Sequence, residues 1–276
     1  MKRYRKKYLN KKRRQKHRLV VMAEYFVFVI IVCIIYLCYT TLEARKNQNL
    51  YAVSDSNSNN IVTKNNFSTD TENLENEQQK LYLSAKQENK EVIGWLSIEG
   101  TNISYPLLQT MDNSYYLTHN YKNEKSQYGS IFLHKNSVLT NEFSNLIIYG
   151  HNMNDGSQMF SSLLNYADKN FFNNHKTIKI TTDTKEYVYT IFSVLKSKVY
   201  NNDDTNVFRY YSYTDLTDQN KFNEYITNCK KYQLYNTSYS AVYGNQIITL
   251  VTCEYSQDNG RFVVVGKKLK TISLTN

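Results

Sequence analysis

The chain has 276 residues, of which 41% are apolar, a length and composition that fit one medium-sized folded domain with appended segments. Its formal net charge of +10 would suit a nucleic-acid binder, but the segment from Lys2 to Arg18 alone holds 11 of the 34 Lys and Arg residues. The rest of the sequence has 23 basic and 24 acidic residues and offers no general basic surface for phosphates. We therefore expect no nucleic-acid partner.

An apolar run of 21 residues, Leu19 to Tyr39, follows the basic head formed by residues 1–18. Interrupted only by Glu24, it is long enough as a helix to cross a hydrocarbon layer of about 30 Å. A cleaved signal peptide shows the same order of charge and hydrophobicity, but this run is too long for one, and no small-residue cleavage site follows. The pattern predicts a single-pass membrane anchor at residues 19–39, with a cytoplasmic N-terminus and an extracellular remainder.

Residues 40–69 are predicted to be an extracellular stalk, because Glu43 to about Asn66 are rich in Asn, Ser and Lys and poor in bulky apolar side chains. The folded domain is expected at residues 70–276. It opens with a predicted surface helix from Asp70 to Asn89, which would turn a stripe of leucines towards the domain. That stripe consists of Leu74, Leu81 and Leu83.

Short apolar or alternating runs separated by Gly, Asn and Asp dominate the sequence beyond residue 91 and predict about eight strands. They are Val92 to Ile98, Asn102 to Leu108, Tyr128 to Leu133, Leu146 to Tyr149, Thr177 to Thr181, Tyr187 to Leu195, Gln246 to Thr252 and Phe262 to Val265. So many short strands in one domain favour a closed or nearly closed β-barrel.

Two helices are predicted between these strands. The first extends from Ser157 to Tyr166, with Phe160, Leu163 and Leu164 on one face. The second extends from Asp218 to Lys231. It has a clean amphipathic stripe with helical spacing, formed by Phe222, Tyr225, Ile226 and Cys229.

Cys253 and Arg261 close a short polar connection between the last two predicted strands. If those strands form a hairpin, the two residues face each other. A guanidinium beside a thiol favours the reactive thiolate and can later stabilise the negative oxygen of a tetrahedral intermediate. A buried Cys next to a surface Arg accounts for the same spacing equally well.

His151 follows the apolar run that ends at Tyr149, and it lies where a buried strand gives way to a loop. A side chain at a rigid strand end is well placed for function, and imidazole can accept and return a proton near neutral pH. A lone histidine is more often structural, so the coincidence with Cys253 carries the argument. The other histidines, His17, His119, His134 and His175, are interpreted as solvated.

Four cysteines are present, and two of them, Cys33 and Cys38, fall within the predicted anchor as small apolar groups. A disulfide between Cys229 and Cys253 is the alternative for the external pair. However, the position of Cys229 on an apolar helix face already explains it as part of the core. No pair of His or Cys residues has metal-ligand spacing, so we predict no metal and no cofactor.

Five short segments resemble the sortases of Gram-positive bacteria, class B in particular. Thr249-Leu-Val-Thr-Cys253 and Gly260-Arg-Phe-Val-Val-Val265 are similar to the family's Cys box and its downstream Arg. Ile148-Tyr-Gly-His151-Asn-Met is similar to the His box, and Val92-Ile-Gly-Trp-Leu-Ser-Ile98 with Thr101-Asn-Ile-Ser-Tyr-Pro106 to the opening strands. The resemblance covers about residues 70 to 276. It implies a mainly β fold: an eight-stranded barrel with an N-terminal helical extension and one helix before the Cys strand.

The resemblance also implies an activity. The enzyme would cut the C-terminal sorting signal of a surface protein after Thr, hold the acyl group on Cys253 as a thioester, and transfer it to an amine of the cell wall or a pilin. His151 would be the acid and base, and Arg261 would hold substrate and oxyanion. Val251 replaces a small hydroxyl residue of some relatives. With Thr252 and Glu254, it is a candidate substrate-binding residue.

Two other classes of protein remain as alternatives. A papain-like peptidase places Cys before His in the chain, and an L,D-transpeptidase has His and Arg close to a Gly-Cys motif, neither of which is found here. A non-catalytic membrane-anchored binding or scaffold domain would instead require an inert, buried Cys253.

Overall fold

Eight strands close into one barrel in this computed structural model, which describes residues 2–51, 67–153 and 158–274, without the side chains of residues 2–16, 19 and 67–76. The strands are β1 Val92–Ile98, β2 Ser104–Leu108, β3 Ile131–Leu133, β4 Asn145–Tyr149, β5 Thr177–Thr181, β6 Lys185–Lys198, β7 Ile247–Cys253 and β8 Gly260–Ser273. Around the barrel their order is β1-β2-β3-β4-β7-β8-β6-β5. The predicted mainly β fold with added helices is confirmed.

Parallel pairing occurs twice in the barrel, between β2 and β3 and between β4 and β7, and the remaining neighbours are antiparallel. Parallel neighbours need a long connection. The segment between β4 and β7 indeed contains β5, β6 and most of the helical structure of the domain. Because β4 and β7 run side by side in the same direction, the residues that follow them lie at the same end of the barrel.

The strands β1 and β5 have the predicted bounds, whereas β6 and β8 extend well beyond theirs. These two strands pair along their whole length, from Lys185 opposite Ser273 to Lys198 opposite Gly260. The added parts contain Lys185, Lys196 and Lys198 in β6 and Lys267, Lys268 and Lys270 in β8, so the apolar runs mark only the buried middle of each strand. Cross-strand pairing extends both strands past the part that faces the core.

Four α-helices are found among the described residues: α1 Lys2–Tyr51, α2 Phe67–Glu88, α3 Lys169–Asn174 and α4 Gln219–Lys231. The helix α4 begins after Asp218, whose carboxylate accepts a hydrogen bond from the Lys221 amide, as an N-cap does. Its predicted stripe is confirmed, because all four side chains are buried against the outer face of the barrel.

The predicted helix from Ser157 to Tyr166 is wrong in type and bounds. A 3-10 helix covers Ser161–Ala167, and α3 follows it, while residue 157 lies outside the described residues. Met159 has φ 51°, and Phe160 has non-helical backbone angles, so no α-helix can run through them. Phe160 and Leu163 are nevertheless buried, as expected of an apolar face.

The face that α2 turns inward differs from the predicted leucine stripe. Tyr82 and Ala85 are buried, whereas Leu83 is 42% exposed and Leu81 only partly buried; the side chain of residue 74 lies outside the described ones. Tyr82 and Ala85 pack with Trp95 of β1. Aromatic bulk therefore determines the orientation of this helix.

The helix α1 contains one stretch that is long and apolar enough to cross a membrane, by length and composition alone, from Val20 to Tyr51. Helical structure continues to Tyr51, past the predicted end of the anchor and into the predicted stalk. Residues 52–66, half of that stalk, lie outside the described residues.

Candidate active site

Four strand ends direct side chains to the same face of the sheet. In the strand pairing, Phe132 lies opposite Tyr149, Tyr149 beside Val251, and Val251 opposite Val263, so these residues share one face. Side chains two positions apart along a strand point the same way. This alternation brings four more residues to that face, namely His134, His151, Cys253 and Arg261.

A cavity of about 310 Å³ lies over this face at the end of the barrel. Its lining contains the candidate sulfur, imidazole and guanidinium together. The full set is Asn113, Leu117, Phe132, His134, Tyr149, Gly150, His151, Val199, Tyr210, Tyr211, Val251, Thr252, Cys253 and Arg261. The register also pairs Cys253 with Arg261 across β7 and β8, so the predicted hairpin is confirmed.

Hydrogen bonds connect the segment around His151 to the segment around Cys253. The Thr252 hydroxyl donates to the Gly150 carbonyl at 2.8 Å, and the Gly150 amide donates to the Val251 carbonyl at 3.2 Å. The Asn152 side-chain amide donates to the Cys253 carbonyl at 3.0 Å. The residues that flank both candidates therefore hold each other, which fixes the two candidates relative to one another.

His151 is half-buried, and its Nε2 lies 2.7 Å from the Leu117 carbonyl oxygen. A carbonyl only accepts, so Nε2 carries the hydrogen and Nδ1 is left to take up a proton. The carbonyl belongs to a short 3-10 helix, Tyr115–Leu117, which connects β2 to β3. This helix therefore orients the imidazole.

Arg261 is half-buried and donates from Nη1 to the Gly260 carbonyl at 2.9 Å. In the part of the chain that the structure describes, its guanidinium has no carboxylate partner. Burial raises the pKa of Tyr149 and Tyr210, and the positive charge of Arg261 opposes that shift in both. Both phenols stay protonated and neutral near pH 7, so they leave the charge of Arg261 available to an anionic group in the cavity.

The two cysteines of the folded domain lie in different environments, and both are free thiols. Cys229 is fully buried on α4, and burial raises the pKa of its thiol far above the usual range. Cys253 is half-buried and borders the cavity. No disulfide joins Cys229 and Cys253 in this structure.

The three candidate substrate-binding residues are placed differently. Val251 lies on the cavity face, and Thr252 also borders the cavity while its hydroxyl is bonded to Gly150. Glu254 is not part of the lining. Its carboxylate pairs with Lys196 at 2.9 Å and accepts a hydrogen bond from Ser256.

The interpretation of the other histidines as solvated is wrong for His134, which is only 9% exposed and lines the cavity. Its polar sequence neighbours suggest solvent, but it follows β3 at a position that faces inward. Asn113 comes to the cavity from a loop, and Tyr210 and Tyr211 come from a short 3-10 helix, Tyr210–Ser212, so no strand period in the sequence singles them out. Within the described ranges, no three His, Cys, Asp or Glu side chains are grouped so as to hold a metal ion.

A family model described as a sortase domain matches residues 96–269. The chain belongs to the sortase family. Sortase B of Listeria monocytogenes is 42% identical over 183 residues, which cover 65% of this chain and 70% of the relative. The resemblance to class B sortases is thus confirmed, and the protein is a cysteine transpeptidase of that class.

Solved class B structures have the same fold. The Staphylococcus aureus sortase B–substrate complex matches with a TM-score of 0.61 and 29% identity, over 73% of this chain and 91% of that chain. A crystal structure of sortase B complexed with triglycine matches with a TM-score of 0.60 and 28% identity, over 75% of this chain and 97% of that chain. This sortase therefore has the class B barrel around its cavity.

Proposed function

We propose that this sortase cleaves the C-terminal sorting signal of a surface protein after Thr and transfers the acyl group to an amine, with Cys253 as nucleophile. The observation that supports this assignment is the single cavity lined by Cys253, His151 and Arg261. A thiol, a proton carrier and a cation in one cavity are the groups that acyl transfer through a thioester needs.

In the first step, the Cys253 thiolate attacks the carbonyl carbon of Thr, and the guanidinium of Arg261 stabilises the negative oxygen that forms. The carbon–nitrogen bond then breaks, and protonated His151 gives its proton to the leaving amine. In the second step, neutral His151 takes a proton from the incoming amine as it attacks the thioester. The carbon–sulfur bond breaks and the thiolate is regenerated.

The amine acceptor is proposed to be a peptide amine of the cell wall or a lysine of a pilin. The sortase B structure described as complexed with triglycine supports an acceptor with a glycine amine. Asn-Pro-x-Thr and Pro-Pro-x-Thr sorting motifs are the candidates for the donor peptide. No metal or cofactor enters either step.

The proposed location is the cell membrane, with residues 1–18 in the cytoplasm, residues 19–39 as the anchor, residues 40–69 as a stalk and residues 70–276 as the catalytic domain outside the cell. The apolar stretch of α1 supports an anchor, and the basic residues that precede it support a cytoplasmic N-terminus. This arrangement places the enzyme where secreted proteins and cell-wall amines are found.

The full chain in detergent micelles tests the assignment. Quenched sorting peptides of both motif types are incubated with wild type, Cys253→Ala, His151→Ala and Arg261→Ala, with and without triglycine. We expect cleavage by wild type, a peptide–triglycine product when the amine is present, no turnover by Cys253→Ala, and at least about a 100-fold loss for the other two variants.

Arg261→Lys and Cys229→Ser are the matched controls. Lysine keeps the charge but not the planar set of donors, so it should recover only part of the lost rate. Cys229→Ser changes a thiol that does not border the cavity, so turnover by its folded fraction should stay at the wild-type level. Continued cleavage by Cys253→Ala would refute the proposed nucleophile.

A further inference from the structure

His134 borders the catalytic cavity, yet the proposed acyl transfer does not use it. Its side chain is more than nine-tenths buried, with 9% exposure. The Asn136 amide donates to His134 Nδ1 at 3.1 Å, so the hydrogen of the neutral ring is at Nε2. Among the described residues, no acceptor for this Nε2–H is found. The nitrogen itself keeps some exposure, so its hydrogen is open to a ligand or to water in the cavity.

The loop that carries His134 is fixed from several sides. The His134 amide donates to the Ile147 carbonyl at 2.7 Å, and Gln109 Nε2 donates to the carbonyls of His134 at 3.0 Å and Ser137 at 2.7 Å. The Lys135 amide donates to Asn113 Oδ1 at 2.8 Å. The ring is therefore held in place before any ligand arrives, as expected of a recognition group.

His134 is too far from the thiol for direct proton exchange. It follows β3, and β4 lies between β3 and the Cys253 strand β7, so two strand spacings of about 4.8 Å each separate them across the sheet. The register places His134 level with Ile147 and Thr249, so Cys253 also lies four residues, about 13 Å, further along β7. The combined separation of about 16 Å corresponds to about five residues of an extended peptide. Tyr149 and Val251 form the floor of the cavity along this direction.

The ring is a neutral donor under ordinary conditions. Burial, with a smaller contribution from the charge of Lys135, lowers the pKa of the His134 imidazole below its usual value. The neighbouring Tyr149 ring, 6.1 Å away between centroids, is also neutral near pH 7 because burial raises the pKa of its phenol. The donor therefore suits a neutral oxygen acceptor such as an amide carbonyl.

We infer that His134 is a specificity-determining residue of this sortase: its Nε2–H donates a hydrogen bond to an amide oxygen of the sorting peptide, about five residues from the Thr held at Cys253. The inference rests on the proposed function, since it takes the same cavity as the peptide site. It assigns the acyl-donor peptide, and not the amine acceptor, as the partner of His134.

Two substitutions distinguish the proposed hydrogen bond to the peptide from the hydrogen bond that His134 Nδ1 accepts from the Asn136 amide. His134→Asn places an amide oxygen where Nδ1 accepts from Asn136, but it lacks a donor that reaches the cavity. His134→Gln places an amide nitrogen near the position of Nε2, but it loses the Asn136 bond. Purified full-length variants are assayed with quenched Asn-Pro-x-Thr and Pro-Pro-x-Thr peptides that extend at least about five residues to each side of Thr, with triglycine varied separately. His175→Asn, outside the cavity lining, is the matched control.

We expect His134→Asn to lower kcat/KM for the cleaved peptide roughly five- to tenfold, the typical effect of one lost hydrogen bond, mainly through KM. His134→Gln should retain more of kcat/KM than His134→Asn, although it is the less stable of the two by thermal melting. The KM for triglycine and the rate of Cys253 alkylation should match wild type in both.

The inference is overturned by equal kcat/KM in His134→Asn and wild type, by a change confined to the triglycine KM, or by a loss that follows stability, with His134→Gln the poorer enzyme. Failure of the proposed function has a different signature. In that case, wild type cleaves neither peptide, or Cys253→Ala cleaves as well as wild type.

Discussion

The nitrogen of His151 that can take a proton is determined by one hydrogen bond. Because Nε2 is held by the Leu117 carbonyl, proton transfer is left to Nδ1. The same bond fixes the ring plane, so the imidazole does not have to be ordered when substrate binds. In the proposed mechanism, small displacements of the Leu117 carbonyl would therefore change proton transfer, although the Leu117 side chain itself is exposed.

Cys253 should be the only thiol of the folded domain that reacts with an alkylating agent under native conditions. Cys229 is fully buried, and its raised pKa keeps it a protonated thiol between pH 6 and 9, so the reactive thiolate does not form there. Mass spectrometry of peptides after iodoacetamide treatment measures both sites. Labelling of Cys229 should appear only in denaturant, and native labelling of Cys229 at the rate of Cys253 would contradict the prediction.

Thr252→Val should reduce both stability and turnover, because it removes the hydroxyl that donates to the Gly150 carbonyl next to His151. An unpaired buried carbonyl costs about 1–3 kcal/mol of the free energy of unfolding. Thr249→Val is the matched control, since Thr249 is also a buried β7 threonine with bonded hydroxyl, but it contacts Asn145 and Tyr225. Denaturant melts should show similar losses, whereas kcat of the folded enzyme should fall only for Thr252→Val.

At the scale of elements, apolar runs are enough to predict the barrel, because each strand has one face that must be buried. They also predict that Cys253 and Arg261 face each other, since the two strands are joined by a short connection. They do not predict that His134 faces the cavity. That depends on β4 lying between β3 and β7, a neighbour relation that chain order does not contain.

The 3-10 helix Tyr115–Leu117 lies close to Gly129, and this contact allows the position of the helix to be tested. A Cβ at Gly129, which has φ 56°, would lie 2.5 Å from the Tyr116 carbonyl oxygen and 2.8 Å from that of Leu117. Gly129→Ala should push the helix away and displace the acceptor of His151 Nε2. We expect kcat to fall by up to about 100-fold, because misplacement by about 1 Å can have that effect.

Gly244→Ala is the control for Gly129→Ala, since Gly244 also has a positive φ, 95°, but no atom lies within 4 Å of the added Cβ. It carries the backbone strain of about 1–3 kcal/mol without the collision. Thermal melts and peptide cleavage of both variants separate strain from displacement. If Gly129→Ala keeps the wild-type kcat, the Leu117 carbonyl does not position the imidazole.

At the scale of the whole molecule, the excess positive charge and the candidate active site lie in different segments of the chain. The excess of positive charge is confined to the first 18 residues, and the rest of the chain is close to neutral. The strong basic character of the sequence therefore describes the head alone, which in the proposed topology stays in the cytoplasm, away from the substrate. Arg261 is the one Lys or Arg residue in the lining of the cavity, and no carboxylate neutralises it among the described residues.

The orientation of the anchor gives the last prediction. Protease added to intact protoplasts should degrade the domain of residues 70–276 and leave a membrane-bound fragment that contains the head. Replacing the 11 basic residues of the head by Gln should shift part of the population to the opposite orientation, in which the domain is protected, because Lys and Arg determine which end stays in the cytoplasm. The same number of substitutions among the Lys residues of the catalytic domain should leave orientation unchanged. Full protection of the wild-type domain in intact protoplasts, with digestion only after lysis, would place the cavity in the cytoplasm, away from secreted sorting signals.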